Sequence, residues 1–317
     1  MTRPIRVIAI MGATATGKSS LAISLAQRFS GEVVSMDSRQ VYRGFDIGTG
    51  KVPKEERARV PHHLIDVADP GEPWSAGRHA TLAEHAVRDI AARGKLPVLA
   101  GGTGLYFRAL FGGLVGVTIP GDELERIRSS FTNQETHVLY ERLRADDPAR
   151  AAELSPNDRV RITRALELFI YTGVPASELY ARQPEASAGL AYLKLVLFLP
   201  RDAGRARIAE RTRLLFHAGW PAEVDRLLAS GVSSSAPAMN GLGYRSLANA
   251  IVAGESATAC LDGVIQETQR YAKRQETFFR SERDAVWIDV SADGWEDGVG
   301  ARVGAFLGGP DGPAGPQ

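Results

Sequence analysis

The stretch Gly12-Ala13-Thr14-Ala15-Thr16-Gly17-Lys18-Ser19 fits the pattern G-x-x-x-x-G-K-[ST], a loop that cradles phosphate. Its two glycines let the backbone turn tightly enough for successive N–H groups to point at one anion. Lys18 adds a mobile positive charge, and the Ser19 hydroxyl is suited to ligate Mg²⁺. The flanks agree with this reading. Residues 5–11 form a nearly unbroken apolar run, as a buried parallel strand requires, and residues 20–29 place Leu21, Leu25 and Phe29 on one side of a helix. The loop therefore joins a strand to a helix N-terminus, where the macrodipole favours an anion. The pattern does not say which phosphate is held, or what becomes of it.

At 317 residues, 44% hydrophobic and 24% charged, the chain has the composition of a globular protein with one large or two ordinary domains. A net charge of +1 excludes a uniformly basic nucleic-acid binder, so any RNA contact must come from local cations. Only six of the 38 basic residues are lysines, and a surface rich in guanidinium suits bidentate phosphate contacts. The single cysteine, Cys260, excludes an internal disulfide and a cysteine-rich zinc site, as expected of a cytoplasmic protein. No apolar run reaches spanning length, and Met1-Thr2-Arg3-Pro4 leads straight into the first strand rather than into a signal peptide.

Beyond the first helix, residues 32–36 read as a short strand ending in Asp37-Ser38-Arg39-Gln40. In an open parallel sheet, ligands collect beyond the carboxyl ends of the strands, so Asp37 is expected in the same crevice as the loop and is the best candidate base. Its alternative is a helix cap or turn carboxylate. Gly48-Thr49-Gly50-Lys51 reads equally as a solvated loop or a substrate loop, and the adjacent His62 and His63 read as structural, since neighbours on a strand face opposite ways. Residues 76–92 read as a helix with Leu82, Ala86 and Ile90 in line. Residues 96–100 form a strand leading into Gly101-Gly102-Thr103-Gly104, which brings Thr103 to the crevice; its glycines permit close backbone approach to a ligand, or simply a tight turn.

From about residue 111 to 189, strand signals vanish and helical patterns follow one another, which predicts an all-helical insert. Ser155-Pro156-Asn157-Asp158 reads as a capping-box variant with Ser155 as N-cap, opening a helix whose Arg161 and Arg164 have few acidic neighbours. Residues 192–199 return to a strand. Arg207 and Arg211 share a face of the helix after it, as suits an anion at the crevice. Asn240-Gly241-Leu242-Gly243-Tyr244-Arg245 combines flexibility, an aromatic and an arginine, the ingredients for gripping a nucleotide. The longest helical pattern, residues 258–282, carries Arg270, Lys273, Thr277 and Arg280 as a cationic stripe. Residues 286–290 and 295–307 are a last strand and helix, and the glycine-proline tail 308–317 is expected to be disordered.

Several separated segments resemble the bacterial tRNA dimethylallyltransferases: GATATGKS, DSRQVY, DIGTGK, HHLIDVADP, PVLAGGTGLYFRAL, SPNDRVRITRALE, GLGYR and YAKRQETFFR, in the family's order and spanning most of the chain. The phosphate loop is shared by hundreds of families, whereas DSRQVY, GGTGLY and YAKRQ together are far more specific. The resemblance implies an α/β fold with a P-loop NTPase-like parallel sheet flanked by helices, residues 1–111 and 190–307, and an all-helical insert, 112–189, that binds the anticodon arm. It implies transfer of a dimethylallyl group from dimethylallyl diphosphate to the N6 amine of the adenine 3′-adjacent to the anticodon, by a monomer using Mg²⁺ at Ser19 or alternatively Thr16. By the same resemblance Asp37 is the general base, Lys18 and the loop hold the diphosphate, Arg211 binds pyrophosphate and Thr103 stands beside the incoming adenine. RNA contacts are implied at Asp37-Ser38-Arg39-Gln40, Val160-Arg161-Ile162-Thr163-Arg164, Asn240-Gly241-Leu242-Gly243-Tyr244-Arg245 and Lys273-Arg274-Gln275-Glu276-Thr277-Phe278-Phe279-Arg280. The chain departs from the family in Gly50 and Val52, where GTAKP is common, and in Phe278, where Trp is common. Three other readings stand beside this one: a prenyltransferase on free adenine nucleotides, a P-loop small-molecule kinase, and an RNA-binding module without catalysis.

Overall fold

Val7 to Met11 are completely buried, as befits the centre of a parallel sheet covered on both faces. The computed structural model describes residues 3–113, 117, 119–182 and 189–308. Its sheet has six parallel strands: β1 (Ile5–Gly12), β2 (Gly31–Ser35), β3 (His62–His63), β4 (Leu96–Ala100), β5 (Leu190–Phe198) and β6 (Ala285–Asp289). They lie in the order β3-β2-β4-β1-β5-β6. Ile10 pairs with Ala100 and Ala100 with Ser35, so β1, β4 and β2 finish at one edge. The loops that follow these strands are thereby gathered at that edge, and backbone bonds from Met36 to Ala100 and from Gly101 to Ile10 carry the ladder beyond the strands.

Helix α1 (Lys18–Arg28) buries Leu21, Ala22, Leu25 and Ala26 against Ile8, Ile10 and Val98. Each large apolar side chain so buried stabilises the fold by about 1.5–3 kcal/mol. Helix α2 (Lys54–Arg59) has no buried residue. Helix α3 (Ala76–Ala92) buries His79, Ala83, Val87 and Ile90, so the inward line runs one residue later than the expected Leu82 and Ala86. The reason is His79: its ring stacks on Tyr106 and its Nε2 lies 2.9 Å from the Ser35 carbonyl, which turns the helix to bury a polar side chain that periodicity counts as outward. Helix α4 (Gly104–Gly112) follows β4.

Residues 108–187 form one compact unit, and the remaining residues another. The first contains α5 (Gly121–Ser129), α6 (Thr136–Asp146), α7 (Pro148–Glu153), α8 (Arg159–Thr172) and α9 (Ala176–Ala181), around Leu139, Leu143, Ile162 and Leu166. The N-cap of α8 is Asp158, not Ser155: its carboxylate accepts from the Arg161 N–H, while residues 155–158 form the preceding turn. A carboxylate at the helix N-terminus gains from the macrodipole as well as the hydrogen bond, and so displaces the serine.

The other unit continues through α10 (Arg201–His217), α11 (Trp220–Ala229), α12 (Tyr244–Val252), α13 (Leu261–Phe279) and α14 (Trp295–Gly308). Helix α13 starts later than the pattern suggested because residues 257–260 form a 3-10 turn. Gly308 closes α14 instead of opening a tail, and the rest of the expected tail lies outside the described residues.

Candidate active site

Gly12 adopts φ +142°, and a Cβ there would lie 2.3 Å from the Leu197 carbonyl oxygen of β5. Gly17 adopts φ +88° as the residue before α1. These two glycines make the turn from β1 into α1 possible. Between them Ala15 is left-handed at φ 65°, a strained setting for a residue with a Cβ. The Lys18 ammonium donates to the Ala13 carbonyl, as does the buried Thr16 hydroxyl, at 2.9 Å.

The loop opens into a cavity of about 350 Å³, within the range of small-molecule sites. Lys18 and Ser19 line it together with Asp37 from the end of β2 and Arg211 from α10. Asp37 Oδ1 accepts from the N–H groups of Arg39, at 2.7 Å, and Gln40, at 3.3 Å. It is therefore both a turn carboxylate and a cavity residue, and the two readings of it are compatible. Arg211 donates to the Thr14 hydroxyl at 2.9 Å. Burial, then Arg211, holds the Lys18 ammonium down at about 7, against the opposing pull of Asp37. Although Lys18 as a residue is only half-buried, its ammonium is enclosed. Burial also lowers Arg211, again opposed by Asp37. Asp37 thus acts on both cations and lines the same cavity as they do.

Thr103 is not among the residues lining the cavity. Its hydroxyl accepts from the Ser38 N–H at 3.1 Å and shares a hydrogen bond with Tyr271, whose phenol is pushed up to about 12, first by burial and then by Asp37. Arg207 is exposed, one turn away from Arg211 but outside the cavity, so the two do not act together. The close approaches at Gly101 and Gly102 are to protein: a Cβ on Gly101 would meet the Met36 carbonyl, and one on Gly102 the Gln275 amide.

Gly48, Thr49 and Gly50 do line the cavity, which decides for the loop that the sequence left open. Buried Glu223 fixes this loop, accepting from the N–H groups of Asp46, Ile47 and Gly48 and from the Tyr244 hydroxyl. Neither Glu223 nor Trp220, which packs on Gly48, stood out in the sequence. An acid in a short amphipathic helix reads as solvated, and only the three-dimensional path of the loop shows what it binds.

Four residues grouped with RNA contact have side chains turned inward: Ile162, Tyr244, Gln275 and Phe279 are at most 6% exposed. They support the surface instead of forming it. Lys273, Arg274, Thr277 and Arg280 are exposed along α13, and Asn240 and Arg245 are exposed and hydrogen-bonded to each other. In the helical unit Val160 is 78% exposed, but Arg161 and Arg164 have the acidic neighbours that the sequence reading missed, Asp158 at 3.5 Å and Glu167 at 3.1 Å.

For a divalent cation, Ser19 fits: it is exposed in the cavity wall at the first turn of α1. Thr16 does not fit, since it is 3% exposed and committed to Ala13. Among the described residues no group of three His, Cys, Asp or Glu could hold a metal alone, so an ion here needs oxygens from a bound phosphate. No helix among the described residues is long and apolar enough to cross a membrane.

A family model described as IPP transferase matches residues 40–282, and one described as isopentenyl transferase matches residues 5–64. The chain is 45% identical over 289 residues to the tRNA dimethylallyltransferase of Desulfosudis oleivorans, covering 91% of this chain and 92% of that one. It is 42% identical over 286 residues to that of Geobacter metallireducens, covering 90% and 92%. Among solved structures it is similar to a tRNA isopentenylpyrophosphate transferase of Staphylococcus epidermidis, with a TM-score of 0.68, 30% identity and coverage of 94% and 98%. It is also similar to a eukaryotic dimethylallyltransferase acting on tRNA, with a TM-score of 0.80, 27% identity and coverage of 99% and 81%.

Proposed function

Because the chain belongs to the tRNA dimethylallyltransferase family, its activity is the transfer of a dimethylallyl group to tRNA, and we propose that the donor is dimethylallyl diphosphate and the acceptor the N6 amine of the adenine 3′-adjacent to the anticodon. The observation that carries this reading is one cavity lined by the phosphate loop, Lys18, Arg211 and Asp37, with the Asp37 charge acting on both cations.

The carbon–oxygen bond of the donor breaks and its electron pair leaves with pyrophosphate. The loop N–H groups, Lys18 and Arg211 meet that growing charge from fixed positions, which lowers the barrier to an allylic leaving group. The adenine amine is a poor nucleophile because its lone pair is delocalised into the ring. As its nitrogen bonds to the allylic carbon, Asp37 takes the N6 proton, so no cationic amine has to persist. Thr103, outside the cavity lining, acts on the base only through Ser38 and Tyr271, which it holds in place. Mg²⁺ bound at Ser19 and the donor's phosphate oxygens would add Lewis-acid stabilisation of the leaving group.

Reaching N6 requires the target base to leave its stack. The exposed cations of α13, with Arg39 and Arg245, are the candidates to receive the anticodon stem-loop, and the helical unit by itself offers Val160, Arg161 and Arg164 for RNA contact.

The test is to incubate the protein with unmodified tRNA, Mg²⁺ and radiolabelled dimethylallyl diphosphate and to locate the label by nuclease digestion. Label is expected on the adenosine following the anticodon. Asp37→Ala should slow single-turnover transfer by about 10²–10⁴-fold while donor binding survives. Label confined to free adenine nucleotides, or transfer by Asp37→Ala at the wild-type rate, overturns the reading.

A further inference from the structure

Gln275 follows the exposed Lys273 and Arg274 on α13, yet its own side chain points inward and is 6% exposed. Both ends of its amide are used. Oε1 accepts from the Thr14 N–H of the phosphate loop at 2.9 Å, and Nε2 donates to the Gly102 carbonyl at 2.8 Å. A Cβ on Gly102 would lie 2.2 Å from that Nε2, so the turn after β4 leaves room only for this amide. Thr14 is also the residue whose hydroxyl receives Arg211. One side chain therefore fastens the phosphate loop, the turn leading to Thr103, and the helix whose outer face carries Lys273, Thr277 and Arg280.

Hydrogen bonds weaken steeply once their geometry is lost, and a buried amide deprived of a partner keeps the cost of its desolvation. A small shift of α13 must therefore be followed by Thr14 and Gly102, or both bonds fail. Glutamine suits this duty and glutamate does not: a carboxylate would face the Gly102 carbonyl without a proton to donate and would set a negative charge beside the donor's phosphates.

Resting on the function proposed above, we infer that Gln275 is the positioning residue that couples RNA binding on α13 to the geometry of the diphosphate cradle, so that donor and RNA bind cooperatively. Coupling of this kind is reciprocal: RNA tightens the donor by the factor by which the donor tightens RNA.

The experiment is calorimetric titration with dimethylallyl S-thiolodiphosphate, an unreactive donor analogue, in Mg²⁺, with and without saturating unmodified anticodon stem-loop RNA. In the wild-type protein RNA should tighten the analogue about fivefold or more. In Gln275→Ala the ratio should fall to about one while each ligand alone still binds, even though the two groups left unpaired lower the thermal midpoint. Gly102→Ala, whose new Cβ displaces Nε2, should lose the same ratio, and the double variant should be no worse than either single one. A merely structural residue would instead weaken each ligand alone and leave the ratio as in the wild type. A ratio of one in the wild type, or an undiminished ratio in Gln275→Ala, overturns the coupling. If the wild-type protein also transfers no label to tRNA, the proposed function falls with it; if transfer is normal, the coupling alone is wrong.

Discussion

The Lys18 ammonium rests on the Ala13 carbonyl, enclosed by the loop it belongs to, and burial followed by Arg211 brings it down from 10.5 to about 7. Two pH dependences of opposite sign follow. Between pH 7 and 10.5 the unfolded chain binds the proton that the folded chain has released, so the ligand-free protein gains stability from Lys18 as pH rises through this window. Diphosphate binding restores the charge, so donor affinity falls over the same window. Calorimetry at pH 8 in two buffers of different ionisation enthalpy should register uptake of close to one proton, about 0.9, on binding the donor analogue. Lys18→Met should abolish that uptake, and uptake that persists in the variant would assign the proton to another group. At this scale the positions of Gly12, Gly17, Lys18 and Asp37 around the cavity were legible in the sequence, the first three from their spacing and Asp37 from its place at the carboxyl end of a parallel strand. Gln275 and Tyr244 were grouped with RNA contact and lie inside, because a helical stripe does not say which neighbour a side chain on its border will meet.

Among the elements, the loop of residues 46–51 most directly shapes the cavity. Gly50 is left-handed at φ +61°, and a Cβ there would lie 2.1 Å from Arg211 Nη2. Gly50→Ala should push the guanidinium off Thr14 and raise the KM for the donor about tenfold or more, the loss expected of one charged hydrogen bond. Gly71→Ala, at a position with nothing within 4 Å of the new Cβ, is the control and should leave KM unchanged. At the opposite end of the sheet, Glu32 of β2 ties down Arg93, which donates to it at 2.9 Å, and His63 of β3, whose Nε2 lies 2.7 Å away. The Arg93 bond above all, opposed by burial and aided by His63, holds the Glu32 carboxyl at about 2. Its contribution is complete above the ordinary glutamate value of 4.5 and is lost as pH falls from there toward 2. Arg93 is 44% exposed, so solvent screening leaves only a part of that contribution. Urea unfolding of Glu32→Gln should show that deficit at pH 7 and only about a quarter of it at pH 2.5.

Over the whole molecule a net charge of +1 leaves no general field to attract RNA, so the exposed cations of α13 must do it locally. Replacing Lys273 and Arg280 with Gln should weaken binding of the anticodon stem-loop about uniformly across sequences. It should also make the slope of log affinity against log salt shallower by about 1–2, with the KM for the donor unchanged once RNA is saturating. A change in the donor KM without a change in slope would mean that these residues act on the cavity instead.

The sequence by itself determined the sheet, the phosphate loop, the candidate base and the family, since each rests on periodicity or on spacing within a few residues, which local stereochemistry enforces. The tertiary structure alone decided that residues 48–50 wall the cavity, that Arg207 stays outside it, that Thr16 is committed to Ala13, and that Gln275 fastens two loops. Gln275 stands 261 positions from Thr14 and 173 from Gly102. Such a contact exists only once the parallel strands have brought their carboxyl ends to one edge, and no local pattern encodes which distant side chain will be waiting there.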